Sequence, residues 1–368
     1  MRIGIIGAGQ LGQMLGFAAQ ALGQHCQFLD PSPEPPAAAA GPVMQAAFDD
    51  IEALTALAQA CDVITYEFEN VPVDALTRIA RGVPVYPPPA ALRQAQDRLL
   101  EKRLFDRLGI ALPAYRAIDS PRDLQAAIDV IGLPLVIKTR RLGYDGKGQF
   151  LLRTAEHIDT VVELLGTSEL IAEQWVDFDY EVSAIGARNV AGDIVTYPLT
   201  RNVHRDGILR ESYAPADNGP LAERANSYLR RLLEHLDYVG VLAIEFFVIG
   251  DELLANEFAP RVHNSGHWTI EGATTSQFEN HLLAISNRPL GKTDMRGYAG
   301  MLNLIGEIPA AARSLATGRL HDYGKSPRPG RKLGHITVVG DSAEQRDRML
   351  DETIRSVTRS LPGEGPVS

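Results

Sequence analysis

Glu245 and Glu257 are the residues whose types and spacing make the strongest chemical statement. They lie within Val241–Gly272, VLAIEFFVIGDELLANEFAPRVHNSGHWTIEG. Two apolar runs, Val241–Ile249 and Leu253–Phe258, flank Gly250-Asp251-Glu252, which is the pattern of a β-hairpin. A turn centred on Asp251 places Glu245 directly opposite Glu257. Carboxylates facing each other across paired strands repel, so the arrangement asks for a proton or a cation between them. One or two carboxylates, completed by substrate phosphates, are how proteins hold Mg²⁺. A solvated hairpin end with an unpaired acid is the plainer alternative, but Glu245 sits in an almost wholly apolar strand. Asn256, Arg261, His263, Asn264, Ser265 and His267 follow at once, a density of polar groups that a core hairpin does not need.

Other segments carry phosphate-binding chemistry. In Leu135–Phe150, LVIKTRRLGYDGKGQF, Lys138 ends an apolar strand, and Gly143, Gly146 and Gly148 flank Tyr144, Asp145 and Lys147. Glycines let backbone amides approach phosphate oxygens and lysines neutralise them. With a strand on either side, the loop reads as a hairpin flap over a nucleotide. In Ile171–Val176, Glu173 and Gln174 interrupt an apolar strand edge, where they could hydrogen-bond an adenine and a ribose. Asn202–Pro215 holds His204, Arg205 and Asp206 before Gly207, and Arg328–His335 holds Arg331 and Lys332 before a strand. Gly7-Ala8-Gly9-Gln10-Leu11-Gly12 follows a strand and opens a helix, with Asp30 closing the next strand. Alone, this is the GxGxxG dinucleotide fingerprint and argues for an NAD-dependent oxidoreductase. It competes with the phosphate apparatus of the second half of the chain.

The elements that must position these groups alternate strand and helix at the start. Arg2–Ile6, His25–Leu29 and Val63–Tyr66 read as strands, and the stretch to Leu22 and Asp50–Ala60 as helices. This rhythm predicts a parallel, doubly wound sheet with ligands at its carboxyl edge, where Glu67, Glu69 and Asn70 lie. Pro87-Pro88-Pro89 marks a break, Ala90–Leu108 a charged helix, and Ile110–Gly166 a small α/β lobe. Leu170–Gly186 and Asp193–Leu199 read as strands, Leu221–Leu236 and Thr275–Ala284 as helices. Strands Met301–Ile305 and His335–Val339 and a helix Ala343–Leu361 follow. The chain has 368 residues, net charge −10 and two cysteines, Cys26 and Cys61. The charge argues against non-specific nucleic-acid or membrane-surface binding. The cysteines read as buried free thiols rather than a disulfide framework. No apolar run approaches the ~20 residues that span a bilayer, and no signal peptide is evident, so a cytoplasmic protein is expected.

Taken in order, GAGQLGQML, TYEFENV (65–71), KTRRLGYDGKGQ (138–149), VHRDGILRESYAP (203–215), NEFAPRVHNSGHWTIEGA (256–273) and GRKLGH (330–335) resemble the ATP-grasp enzymes. They resemble most closely the N5-carboxyaminoimidazole ribonucleotide synthetases of purine biosynthesis. The resemblance implies an α/β enzyme of three parts: a Rossmann-like domain at 1–95, an ATP-grasp domain at 96–290 with a small lobe at about 112–176, and a small carboxyl-terminal domain at 291–368. It implies ATP- and bicarbonate-dependent carboxylation of 5-aminoimidazole ribonucleotide through carboxyphosphate. ATP contacts would be Arg98, Lys138, Gly143, Tyr144, Asp145, Gly146, Lys147, Gly148, Gln149, Glu173, Gln174, Trp175, Val176, Glu181, His204, Asn256 and Glu257. Glu245 and Glu257 would hold Mg²⁺. Gln10, Leu11, Glu67, Asn70, Tyr144, Lys147, Arg261 and Lys332 would meet the ribonucleotide or bicarbonate, with Arg261, Lys138 and Lys147 in catalytic roles. His263 and His267 are near candidates for proton transfer. On this reading GxGxxG is a false lead for NAD. The flap Gly143–Gly148 should become ordered by ATP, and a homodimer is expected. Alternatives are an ATP-grasp ligase with another acid and acceptor, such as a formyl-phosphate enzyme acting on glycinamide ribonucleotide, or a nucleotide-binding module without catalysis.

Overall fold

The structure is a computed structural model that describes residues 1–143, 148–166, 169–216 and 219–358. The amino-terminal layer runs β1 (Arg2–Ile6), α1 (Gln10–Ala21), β2 (His25–Asp30), β3 (Val43–Gln45), α2 (Ile51–Ala60), β4 (Val63–Tyr66) and α3 (Val73–Ile79). Its strands pair in parallel in the order β3-β2-β1-β4. Ile3, Ile5, Ile6, Val63 and Ile64 are buried, because helices cover both faces of a parallel sheet and its strands are apolar throughout. Asp50 caps α2 by accepting from the amides of Glu52 and Ala53.

The expected helix Ala90–Leu108 is two helices, α4 (Pro89–Ala95) and α5 (Arg98–Arg107). The break belongs to Asp97, whose extended backbone lets its carboxylate accept from the amides of Leu99 and Leu100. The small lobe follows as β5 (Tyr115–Ile118), α6 (Pro121–Ile131), β6 (Leu135–Thr139), β7 (Gln149–Leu152), α7 (Ile158–Leu165) and β8 (Leu170–Gln174). Its four strands form an antiparallel sheet, β5-β8-β6-β7, over a core of its own that includes Ile118, Leu124, Leu135, Ile137 and Leu152. The expected strand Leu170–Gly186 is β8 followed by β9 (Tyr180–Arg188), and the two belong to different sheets.

Next come β10 (Ile194–Thr196), β11 (Thr200–Arg205), β12 (Ile208–Ala214), α8 (Pro220–His235), β13 (Gly240–Ile249) and β14 (Glu252–Ala259). α9 (Thr269–Gly272), α10 (Gln277–Ile285), β15 (Tyr298–Ile305), β16 (Arg319–Asp322), β17 (Lys332–Gly340) and α11 (Ala343–Thr358) complete the chain. Among the described residues these strands make one nine-stranded sheet, β14-β13-β9-β11-β12-β15-β17-β16, with β10 beside β9. The carboxyl-terminal strands therefore extend the central sheet through the β12–β15 pair. Cys26 and Cys61 are buried free thiols. No described helix is long and apolar enough to cross a membrane.

The β13–β14 hairpin places Glu245 opposite Glu257, as expected, but by a different route. Ile249 pairs with Glu252 across a two-residue turn at Gly250-Asp251, which alone would bring Asn256 opposite Glu245. A one-residue bulge shifts the register between Phe246 and Glu245. Asn256 is the extra residue, and Glu257 moves into place. Bulges re-aim side chains beside functional sites.

Candidate active site

The three layers meet around a cavity of about 650 Å³. From the amino-terminal sheet edge come Gln10, Leu11, Glu67 and Asn70; from the helix and small lobe, Arg98, Lys138, Gly143, Gln149 and Glu173–Val176; from the large sheet, Glu181, His204, Glu245, Asn256, Glu257, Arg261 and Lys332. The residues expected to meet ATP, metal and ribonucleotide are thus on one surface. Among the described ones Gly148 is the exception: it precedes β7 with φ +71, where an added Cβ would lie 2.7 Å from Thr139 Oγ1. Tyr144, Asp145, Gly146 and Lys147 lie outside the described residues. Asp30 turns to the glycine-rich turn, and His267 is buried behind the site.

The carboxylate pair behaves as its register demands. Burial pushes the Glu245 carboxyl up to about 7, and the facing Glu257 pushes in the same direction. A divalent cation shared by the two side chains would relieve that repulsion. His263 Nε2 lies 3.2 Å from Glu245 Oε1. His204 Nδ1 lies 2.6 Å from Glu181 Oε2. Burial works against a charge on His204, yet the Glu181 bond and nearby Glu245 hold it above the ordinary histidine value.

Lys138 is fixed from below. Its Nζ donates to Glu173 Oε2 at 2.9 Å, and Lys102 Nζ lies 3.3 Å from the same oxygen. Burial alone would raise the Glu173 carboxyl; the two ammonium groups overcome it and hold it at about 2. Lys102 is 1% exposed and also donates to the Asn256 carbonyl at the bulge. Arg98 donates to the carbonyls of Thr139 (2.8 Å) and Gly143 (2.9 Å), tying α5 to the end of β6 and the residues just after it. Asp97 binds Arg140 through two bonds of 3.0 and 2.5 Å. Arg261 lies 2.9 Å from Glu69 Oε1, joining the large sheet to the amino-terminal edge.

Sequence reading missed Lys102, Asp97 and Lys325. Lys102 and Asp97 belong to a charged helical stretch whose pattern is that of any solvated face. Lys325 belongs to no motif; its Nζ donates to Gln10 Oε1, and burial together with Arg331 lowers it to about 8.

The glycine-rich turn is closed to a dinucleotide by the protein's own acids. Gly9 and Gly12 amides both donate to the Glu67 carboxylate, the second at 2.6 Å, and Ala8 N donates to Asp30 Oδ2 at 2.8 Å. A Cβ on Gly7, at φ +99, would lie 2.5 Å from Glu67 Cγ. The amides that would face a pyrophosphate face carboxylates instead.

Known proteins share this arrangement. Residues 1–96 match the ribonucleotide synthetase preATP-grasp domain, 103–278 the ATP-grasp domain, and 299–349 the phosphoribosylaminoimidazole carboxylase C-terminal domain. The N5-carboxyaminoimidazole ribonucleotide synthase of Pseudomonas aeruginosa is 48% identical over 354 residues, covering 95% of this chain and 98% of that one. The crystal structure of the N5-carboxyaminoimidazole ribonucleotide synthetase of Thermus thermophilus superposes with a TM-score of 0.93 at 49% identity, covering 98% of this chain and 100% of that one. The Aspergillus clavatus enzyme, in complex with ADP and 5-aminoimidazole ribonucleotide, superposes with a TM-score of 0.90 at 31% identity, covering 97% and 98%. With a preATP-grasp domain, an ATP-grasp domain and a carboxyl-terminal domain arranged as in these relatives, the chain belongs to the N5-carboxyaminoimidazole ribonucleotide synthase family of ATP-grasp ligases.

Proposed function

We infer that this protein is an ATP-dependent carbon–nitrogen ligase that carboxylates 5-aminoimidazole ribonucleotide with bicarbonate, giving N5-carboxyaminoimidazole ribonucleotide, ADP and phosphate in purine biosynthesis. The observation that carries the reading is the cavity in which opposed carboxylates, a buried lysine–glutamate cluster and Arg261 meet the amino-terminal sheet edge. A bicarbonate oxygen attacks the γ-phosphorus and ADP leaves. The carboxyphosphate formed releases CO₂ and phosphate. The exocyclic amine attacks the CO₂ carbon and loses a proton.

Bound there, Mg²⁺ would neutralise charge on the transferring phosphoryl group. Glu245 and Glu257 are the residues that would hold it. Lys138, locked by Glu173, and Lys147 share the phosphate charge. Arg98, Gly143–Gln149, Glu173–Val176, Glu181, His204 and Asn256 enclose ATP. Arg261 receives bicarbonate or carboxyphosphate, close to the ribonucleotide held by Gln10, Leu11, Glu67, Asn70, Tyr144 and Lys332. The reading takes divisions at 1–95, 96–290 and 291–368, a homodimer and a cytoplasmic setting. A monomeric mass at micromolar protein would remove the dimer from it.

The test is phosphate release from ATP and Mg²⁺ in bicarbonate buffer, with and without 5-aminoimidazole ribonucleotide. Strong stimulation by the ribonucleotide, abolished in Glu257→Gln, is expected. ATP turnover indifferent to the ribonucleotide would overturn the substrate.

A further inference from the structure

We infer that a buried chain of polar side chains, Ser212–Asn202–Ser183–Ser265, fixes His263 with its proton on Nε2, so that His263 meets the cavity as a hydrogen-bond donor rather than as a base.

The direction of the chain follows from one backbone amide. His263 Nδ1 accepts from the Ser265 N–H at 3.4 Å. A backbone N–H can only donate, so Nδ1 carries no proton, and in the neutral ring the proton is on Nε2. The Ser265 hydroxyl lies 2.8 Å from the same Nδ1 and donates to it. Its oxygen is then free to accept from Ser183 Oγ at 2.7 Å. Having given its own proton, Ser183 accepts from Asn202 Nδ2 at 3.0 Å. That orients the Asn202 amide, whose Oδ1 accepts from Ser212 Oγ at 2.9 Å. Every hydroxyl proton thus points toward His263, and each group in the chain has its proton placed by its neighbour.

Burial keeps this order intact. Ser183, Ser212 and Ser265 are 0% exposed and Asn202 is 3% exposed, so water does not compete for the hydroxyls. The sheet puts the chain beside the carboxylates: Ser183 on β9 pairs with Glu245 on β13, and Asn202 on β11 pairs with Ser212 on β12. At the far side of the ring, Nε2 lies 3.2 Å from Glu245 Oε1. A nitrogen that holds its proton cannot take one from the ribonucleotide's amine. What His263 presents to the cavity is a fixed Nε2–H donor. Ser265, Ser183 and Asn202 are accordingly positioning residues. The tautomer stands on geometry alone; its use in carboxylation rests on the function proposed above.

The test is ¹⁵N NMR of the histidine-labelled full-length protein without substrates, with His263→Gln used to assign the resonance. The Nε2–H pattern for His263 is expected, and the Nδ1–H pattern would overturn the proposal whatever the protein's activity. Asn202→Asp substitutes a group that only accepts, so the Ser183 and Ser265 hydroxyls turn toward it and leave the Ser265 amide, at 3.4 Å, as the one donor to Nδ1. An Nδ1–H signal should then appear beside the Nε2–H one, with kcat down about tenfold, as outer-shell partners of functional groups typically cost, and KM for ATP within twofold. Ser183→Ala breaks the same chain with a smaller change and should move both readouts in the same direction, which covers failure of the aspartate variant to fold. Unchanged tautomer and unchanged kcat in the folded variants would remove the positioning role.

Discussion

At the scale of single residues, the cluster of Glu173 with Lys102 and Lys138 decides whether the small-lobe wall of the cavity holds its charge. The Glu173 carboxyl is 4% exposed and serves two ammonium groups. Removing one partner from a buried ion cluster leaves uncompensated charge and costs about 3–5 kcal/mol. Glu173→Gln is therefore expected to lower stability by that amount at pH 7, read from urea midpoints. The pH dependence has a fixed sign. The folded-state value, about 2, lies below the ordinary 4.5. The contribution is fully present above about 4.5 and is lost as pH falls from there toward 2, amounting to ~3 kcal/mol at one pKa unit per 1.36 kcal/mol. The gap between wild type and Glu173→Gln should be flat above pH 5 and shrink below pH 4. A gap that widened on acidification would contradict the assignment. The carboxylates of the hairpin act in the opposite sense. They repel when alone, so Glu257→Gln should leave the metal-free protein as stable as wild type or more so, while abolishing turnover. Thermal melts in chelator, paired with the phosphate-release assay, read both.

At the scale of elements, what positions the site is a set of local irregularities. The opposition of Glu245 and Glu257 was legible because strand side chains alternate and the hairpin turn could be placed to within a residue. The route was not. The turn is one residue shorter than a centre at Asp251 requires, and the bulge at Asn256 restores the difference. A bulge is set by what its extra residue can reach, here the Lys102 ammonium taking the Asn256 carbonyl, and that partner is 154 residues away. The break in the helix at Asp97 escaped notice for the same reason. Asp is a good cap anywhere, and only the tertiary fold shows that this one also grips Arg140, just beyond β6. The fingerprint at Gly7–Gly12 was legible as a tight turn, but its occupant, Glu67, lies 58 residues beyond Gly9. Asp97 gives the element-scale prediction. Asp97→Ala loses the cap, worth about 1 kcal/mol, and leaves the Arg140 guanidinium without its bidentate partner. A total loss of about 2–4 kcal/mol is expected, together with a raised KM for ATP, because Arg98 at the start of the same helix anchors Gly143. Asp97→Asn keeps an acceptor for the cap and should fall between the two. Equal stability of Asp97→Ala and wild type in chemical denaturation would show that the helix start is held by something else.

At the scale of the whole molecule, Pro87-Pro88-Pro89 reads in sequence as a separation, yet the apolar core runs across it. Ile3, Leu15, Ala19 and Phe28 of the amino-terminal layer share one buried cluster with Trp268, Phe278, Leu282 and Met301. Polar contacts cross the same boundary: Gln24 Nε2 donates to Ser286 Oγ at 2.8 Å, and Thr65 Oγ1 lies 2.9 Å from His281 Nε2. The carboxyl-terminal strands join through the shared sheet. The small lobe differs. Its core cluster contains only its own residues, and the ties described above between it and the rest are charged or polar: Arg140 to Asp97, Lys102 to Glu173 and Arg98 to Thr139 and Gly143. Units with a separate core open separately and at lower free energy. Hydrogen exchange should therefore find the amides of β6 and β8 exchanging well before those of β1, β9 and β13, while the latter three share one slow rate. Arg98, Arg140, Gly143 and Glu173, which take part in these ties, line the cavity, so a nucleotide spanning it couples the two units. Adding MgADP should slow exchange in β6 and β8 far more than in β1, and the gap should close as the site saturates. Equal protection of lobe and body without nucleotide would mean that the charged ties suffice to make the molecule a single cooperative unit.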